Sequence, residues 1–176
     1  DIQVEISIDS SLTDIVGERF DAGVRLAEQV PKDMIAVPIG PDLCMAAVAT
    51  PGYFAGRPMP LVPQDLKNHR CINLRMPTSG GLYVWEFDRD GQEIRVRVEG
   101  QLAFDDNRMV LDAVRAGFGI AFVPGDRIAG DLASGRLVRV LADWCQPFPG
   151  YHLYYPSRRQ LSPAFALLVE ALRYRG

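Results

Sequence analysis

Cys71 lies two positions from His69, so in an extended segment the two side chains share a face, as a nucleophile and its base would need. A catalytic thiol also needs a lowered pKa. The commoner reading of this pair puts Cys71 in a core strand, because free cysteine is among the most buried residue types, with His69 on a surface turn. Asp105 and Asp106 are adjacent carboxylates that could serve acid–base chemistry, but short acidic side chains at such a place cap a helix equally well. Thr78-Ser79-Gly80-Gly81 has the content of an anion loop without the lysine and helix of a P-loop. Its favoured reading is a loop at the mouth of a cleft. There is no Cys-x-x-Cys, no His-x-x-x-His and no Gly-x-Ser-x-Gly, so no metal, no cofactor and no serine nucleophile is expected. The balance of these signals is against an enzyme.

The element that positions most of these residues is the stretch 101–127, which reads as strand, helix, strand. Asp105, Asp106 and Asn107 supply the N-cap, and Val110, Ala113, Val114 and Gly117 fall on one helical face. Gly117 and Gly119 end the helix. Such a unit implies a parallel strand pair with a right-handed crossover, and ligands in open α/β sheets bind beyond the carboxyl ends of the strands.

Upstream, Ile2, Val4, Ile6 and Ile8 alternate with polar residues and predict a strand. Ser11 to Asp14 resembles a capping box, and Leu12, Ile15, Val16 and Phe20 line a helical face. Strands follow at 22–27, 34–39 and 45–49, then proline-punctuated turns, a strand at 71–74, and a hairpin about Asp90-Gly91. The charge on that hairpin suggests a sheet edge. A helix near 127–133, strands at 137–141 and 151–155, and a helix opened by Ser162-Pro163 complete the chain.

The 176 residues are 48% hydrophobic and 23% charged, enough for a real core. A formal charge of −3 opposes binding of a nucleic acid backbone by this stretch itself. No apolar run reaches the roughly 18 residues of a membrane span, so no membrane partner is expected. Three scattered cysteines suggest reduced thiols and a cytoplasmic setting. The pattern divides into two lobes, residues 1–46 with 149–176 and residues 47–148, joined by two crossings that would make a hinged cleft.

Phe20-Asp21-Ala22-Gly23-Val24-Arg25-Leu26, Pro51 with Tyr53-Phe54, and Asp65-Leu66 with His69 and Cys71-Ile72 occur in order. Ala116-Gly117, Gly119-Ile120 and Pro124 follow, then Gly135-Arg136-Leu137-Val138, Val140-Leu141 and the tyrosine-rich 151–155. In order and spacing these resemble the LysR-type transcriptional regulators over nearly the whole chain. The resemblance implies an α/β effector-binding domain of two Rossmann-like lobes, similar to periplasmic binding proteins, with the first strand and helix of lobe one missing. It also implies a winged helix-turn-helix outside this chain as the only DNA-binding part, and a homo-oligomer (dimer or tetramer). By position it places a small polar or anionic effector between the lobes. The residues are Ser10, Ser11 and Leu12, Thr50, Arg75, Met76, Pro77 and Thr78, Asp106 and Asn107, and Phe122. Arg75 reads equally well as a surface ion pair. The alternative reading is a periplasmic-type solute-binding protein, which shares the two-lobe plan.

Overall fold

The computed structural model describes residues 2–8, 13–76, 79–156 and 161–176. In chain order its strands are β1 (Gly23–Leu26), β2 (Met34–Pro38), β3 (Leu43–Ala49), β4 (Ile72–Leu74), β5 (Trp85–Arg89) and β6 (Gln92–Val96). They continue with β7 (Leu102–Phe104), β8 (Ala121–Pro124), β9 (Val138–Val140), β10 (Pro147–Phe148) and β11 (Tyr151–Pro156). The helices are α1 (Pro51–Phe54), α2 (Asn107–Arg115), α3 (Ala129–Ala133) and α4 (Pro163–Leu172). Two compact units emerge, residues 1–43 with 148–176 and residues 44–147.

In the first unit β11 lies between β1 and β2, antiparallel to both, with Leu153 opposite Val24 on one side and Val37 on the other. Helix α4 covers this sheet. Ser162 caps it by accepting from the Phe165 N–H at 3.2 Å, and Phe165 and Val169 bury against Val37, Leu153 and Tyr155. Two expectations fail here. Residues 2–8 form no strand, and Ile6 and Ile8 are 81% and 94% exposed. Alternation marks a strand only where another strand supplies hydrogen bonds, and no described strand flanks this segment. Residues 15–19 form a turn instead of the expected helix: Asp14 accepts from Val16 N–H, and Arg19 takes φ 61°, which closes the turn. Ser11 and Leu12 lie outside the described residues.

The second unit is built on a mixed sheet. β4 is parallel to β7, and a parallel bridge from Cys71 to Ile120 joins β4 to the start of β8. β8 is antiparallel to β3, which is antiparallel to β9. The expected direct pairing of β7 with β8 is therefore wrong, because β4 runs between them. Ile72 N–H donates to Ile120 O at 2.8 Å, and Ile120 N–H to Arg70 O at 2.9 Å. Gly119 permits that approach, since a Cβ there would stand 2.4 Å from the Arg70 carbonyl. Its role is closeness of backbones. Gly117, at φ 79°, is the residue that turns the chain out of α2.

The sheet is covered on both faces. Val110, Leu111, Ala113 and Val114 of α2 pack with Ala46, Val48, Ile72, Ala121 and Val123 on one side. On the other, Phe122 stacks under Trp85 at 5.2 Å and touches Phe87 at 5.0 Å between ring centroids. Those two rings come from the β5–β6 hairpin, whose Asp90 and Gly91 take φ 55° and 80° as a tight primed turn requires. The hairpin forms its own two-stranded sheet and does not extend an edge. Its alternation explains this: Trp85, Phe87, Ile94 and Val96 face inward, while Glu86 pairs with Arg95 outside at 3.2 Å.

Asp131 of α3, 7% exposed, accepts from Arg115 of α2 at 2.8 Å and pairs with Arg136 at 3.4 Å. The Arg115 hydrogen bond holds its carboxyl below the usual range. A lowered folded-state pKa stabilises the fold above the unfolded value, near 4, and that contribution fades as pH falls through it. Asp131→Asn should accordingly show a flatter dependence of unfolding free energy on pH below about 4, measured by urea titration across a pH series. Phe122→Ala should destabilise by about 3–5 kcal/mol, since it empties the centre of the aromatic layer, and the same urea titrations at neutral pH check it.

Candidate functional site

The carboxyl ends of the parallel strands β4 and β7 lie side by side, with Leu74 opposite Phe104. The Arg75 N–H donates to Phe104 O at 2.6 Å. This brings Arg75 and Met76, which leave β4, beside Asp105, Asp106 and Asn107, which lead from β7 into α2. Arg75 is exposed and donates to the Gly80 carbonyl at 2.6 Å, and it makes no ion pair among the described residues. A neutral carbonyl is thus its side-chain partner among the described residues. Met76 is tied at both backbone ends, its N–H to Gly81 O and its O to Gly80 N–H, each 2.8 Å. These bonds hold Gly80 and Gly81 beside the end of β4.

Asp106 is the N-cap of α2, accepting from Arg108 N–H at 2.7 Å, and its carboxylate also takes three bonds from the Arg108 side chain. The Arg108 side chain is the main cause of its lowered pKa. A carboxylate held charged in this way caps the helix and has no proton to give as a general acid. It also occupies one donor of the helix N-terminus. Asn107 is exposed on the first turn, beside the exposed Arg108.

Two expected members lie elsewhere in the unit. Thr50 follows β3, which runs opposite to β8, so it sits by Gly117 at the far end of α2. Asn107 begins the nine-residue α2, about 13 Å long, and Thr50 lies past its other end. Its hydroxyl caps α1 by accepting from Tyr53 N–H at 3.2 Å. Phe122 is 4% exposed within the aromatic stack, on the sheet face away from α2. Ser10, Ser11, Leu12, Pro77 and Thr78 fall outside the described residues. Sequence spacing could not reveal the separation of Thr50 from Asn107, because it follows from strand direction alone.

The thiol–imidazole pair is not assembled. Cys71 is buried, burial pushes its thiol up to about 12, and the thiol hydrogen faces the Leu66 and His69 carbonyls. His69 is buried rather than on a surface turn, beside the rings of Tyr53 and Phe54, with Nδ1 3.4 Å from the Tyr53 hydroxyl. Burial also lowers its pKa. The Tyr53 hydroxyl, which accepts from Arg70 N–H at 2.9 Å, is what draws the ring inward. Among the described residues no group of three or more His, Cys, Asp or Glu could hold a metal. Cys44 is half-buried, and Cys145 is buried. With iodoacetamide at neutral pH, alkylation should reach Cys44 first and leave Cys71 unmodified until the chain is denatured, as read by mass spectrometry.

The family model for the LysR substrate binding domain matches residues 1–176. A putative transcriptional regulator of Pseudomonas aeruginosa is 56% identical over 174 residues, which is 99% of this chain and 57% of that protein. The HTH-type transcriptional regulator PgrR of Escherichia coli is 46% identical over 176 residues, covering all of this chain and 59% of that protein. The chain therefore spans somewhat over half the length of the curated relatives it matches. Among solved structures, the full-length virulence activator AphB of Vibrio cholerae superposes with a TM-score of 0.81 at 22% identity, over 98% of this chain and 57% of that one, a likeness of fold. The architecture is the periplasmic-binding-protein-like one of LysR-type regulatory domains, and over its whole length the chain belongs to the LysR substrate-binding domain family.

Proposed function

We propose that this chain is the effector-sensing and oligomerising part of a LysR-type transcriptional regulator, without catalysis of its own. The observation that carries the reading is the convergence at the carboxyl ends of β4 and β7. There Arg75, which has no ion pair among the described residues, leaves β4 beside the strand that leads into α2, in a chain matched throughout by the family's substrate-binding domain. A guanidinium, the Asn107 amide and a helix N-terminus suit a small polar or anionic effector. Ser10, Ser11, Leu12, Pro77 and Thr78 belong to the proposed set through the family resemblance. Thr50 and Phe122 enter it as supports, one capping α1 and one holding the sheet face.

The two units of the chain correspond in this reading to lobe I and lobe II. DNA reading belongs to a helix-turn-helix segment such as the relatives' names record, and not to this chain, whose net charge of −3 opposes phosphate. The cytoplasm is the fitting compartment for three free thiols. No helix among the described residues is long and apolar enough to cross a membrane. The exposed Ile2, Val4, Ile6 and Ile8 supply apolar surface for self-association.

A thermal-shift screen of small metabolites should find a stabilising ligand, because binding to the folded state alone raises stability by mass action. Asn107→Ala and Arg75→Ala should each weaken that ligand about fivefold or more. A ligand whose affinity neither variant changes places the site elsewhere. In light scattering over a concentration series the chain should be oligomeric, and Ile6→Lys should shift it toward the monomer. A monomer at every concentration refutes the oligomerising role.

A further inference from the structure

A cavity lies wholly inside the residue 44–147 unit, beside residues 81–84 and the end of β6. Strand alternation exposes it. Ile72 and Leu74 of β4 point to the α2 side, whereas Cys71 points to the hairpin side. Asn73, between them, shares the hairpin side with Cys71, Trp85, Phe87 and Phe122, where the neighbouring positions are apolar. It is 3% exposed, and its side-chain amide makes no hydrogen bond among the described residues. Its amide thus offers both a donor and an acceptor to whatever occupies the adjoining cavity.

There is room for something to enter. Asn73 lines a cavity of about 360 Å³ together with Leu82, Tyr83, Val84, Arg97 and Val98. One water occupies roughly 30 Å³ in the liquid, so this space is larger than a bridging water needs, and it lies within the usual ligand range of roughly 300–1,000 Å³. The walls are held in place: Tyr83 N–H donates to Leu74 O at 2.8 Å, and Arg75 bridges Leu82. Arg97 is an exposed cation on this cavity that makes no ion pair among the described residues. Its neighbours on the hairpin are paired, Arg95 with Glu86 at 3.2 Å and Arg89 with Asp143 at 2.9 Å.

We propose that this cavity binds a small monocarboxylate, with the Asn73 amide and the Arg97 guanidinium on the carboxylate and an apolar tail against Leu82, Val84 and Val98. A single cation selects a single charge. The planar guanidinium matches a carboxylate in two bonds, and the Asn73 NH₂ adds a donor from the buried side. The apolar walls favour a hydrocarbon tail over a sugar, and no helix N-terminus lines the cavity to receive a phosphate. None of these residues is in the effector set proposed above, and the inference does not rest on that assignment.

The test uses the ¹⁵N-labelled 176-residue chain, following the Asn73 side-chain NH₂ and the Arg97 Nε–H resonances. Sodium butyrate and sodium acetate are added in turn, with sodium chloride at matched ionic strength and butyramide as controls. Both resonances should move together and saturate, butyrate binding more tightly than acetate. Arg97→Gln, an exposed change that leaves folding intact, should weaken butyrate about tenfold or more. Arg95→Gln, which removes the same charge two positions away, should leave it unchanged. Asn73→Leu should abolish the saturable shift. Equal shifts with chloride would mean an adventitious ion only and overturn the proposal. So would an Asn73 NH₂ that does not saturate, or a butyrate affinity that Arg97→Gln leaves intact. Tight butyramide binding would refute the carboxylate class.

Discussion

Strand β3 must be buried on both faces, and the second unit is arranged around that demand. Ala46, Ala47, Val48 and Ala49 have essentially no exposed surface. Their small side chains let a helix and an aromatic layer approach from opposite sides. α2 closes one face with Val110, Ala113 and Val114, and Phe122 with Trp85 and Phe87 closes the other. Each buried apolar side chain of this size stabilises by roughly 1.5–3 kcal/mol, so both covers are required for the sheet to stand. The β5–β6 hairpin is therefore a structural lid on the sheet, and its charged outer face is the ordinary consequence of period-two alternation.

The polar groups follow from the same two-sided burial. Where a charge is buried at the rim of the core, at Asp131, two arginines meet it. Where an imidazole is buried, at His69, a tyrosine hydroxyl and two aromatic rings meet it. Asn73 breaks the pattern by having a cavity for a neighbour. Trp144 is a different case: its indole N–H is fully buried without an acceptor among the described residues, while Arg89 lies 5.5 Å over its ring. The uncovered groups with most consequence are Arg75 and Arg97, cations with no carboxylate partner among the described residues. Arg75 directly follows β4, and Arg97 directly follows β6.

Short-range chemistry was legible wherever one segment decides the outcome alone. The α2 cap at Asp106, the Gly117 stop, the Asp90-Gly91 turn and the Ser162-Pro163 start all depend on backbone groups within four residues. The order and spacing of motifs likewise carried the family, because they run the length of the chain. Failures arose where the partner is remote. Residues 2–8 have the alternation of a strand but no described strand beside them. β4, which ends 28 positions before Leu102 and 47 before Ala121, inserts between β7 and β8, which no local period announces.

The candidate site shows the same division. The residue types at 75, 76, 106 and 107 suggested an anion-compatible loop and helix start, and parallel pairing of β4 with β7 sets them side by side. Thr50 was equally plausible by type, yet the antiparallel course of β3 carries it to the opposite end of α2. Sequence alone determined the caps, turns, helix faces, family and net charge, since these depend on residue type and near neighbours. Tertiary structure alone decided which strands adjoin, which face Asn73 and Phe122 occupy, and which arginines lack a counter-charge. Those depend on backbone pairing between segments far apart in the chain, and a one-residue change of register or a reversal of strand direction would alter every one of them.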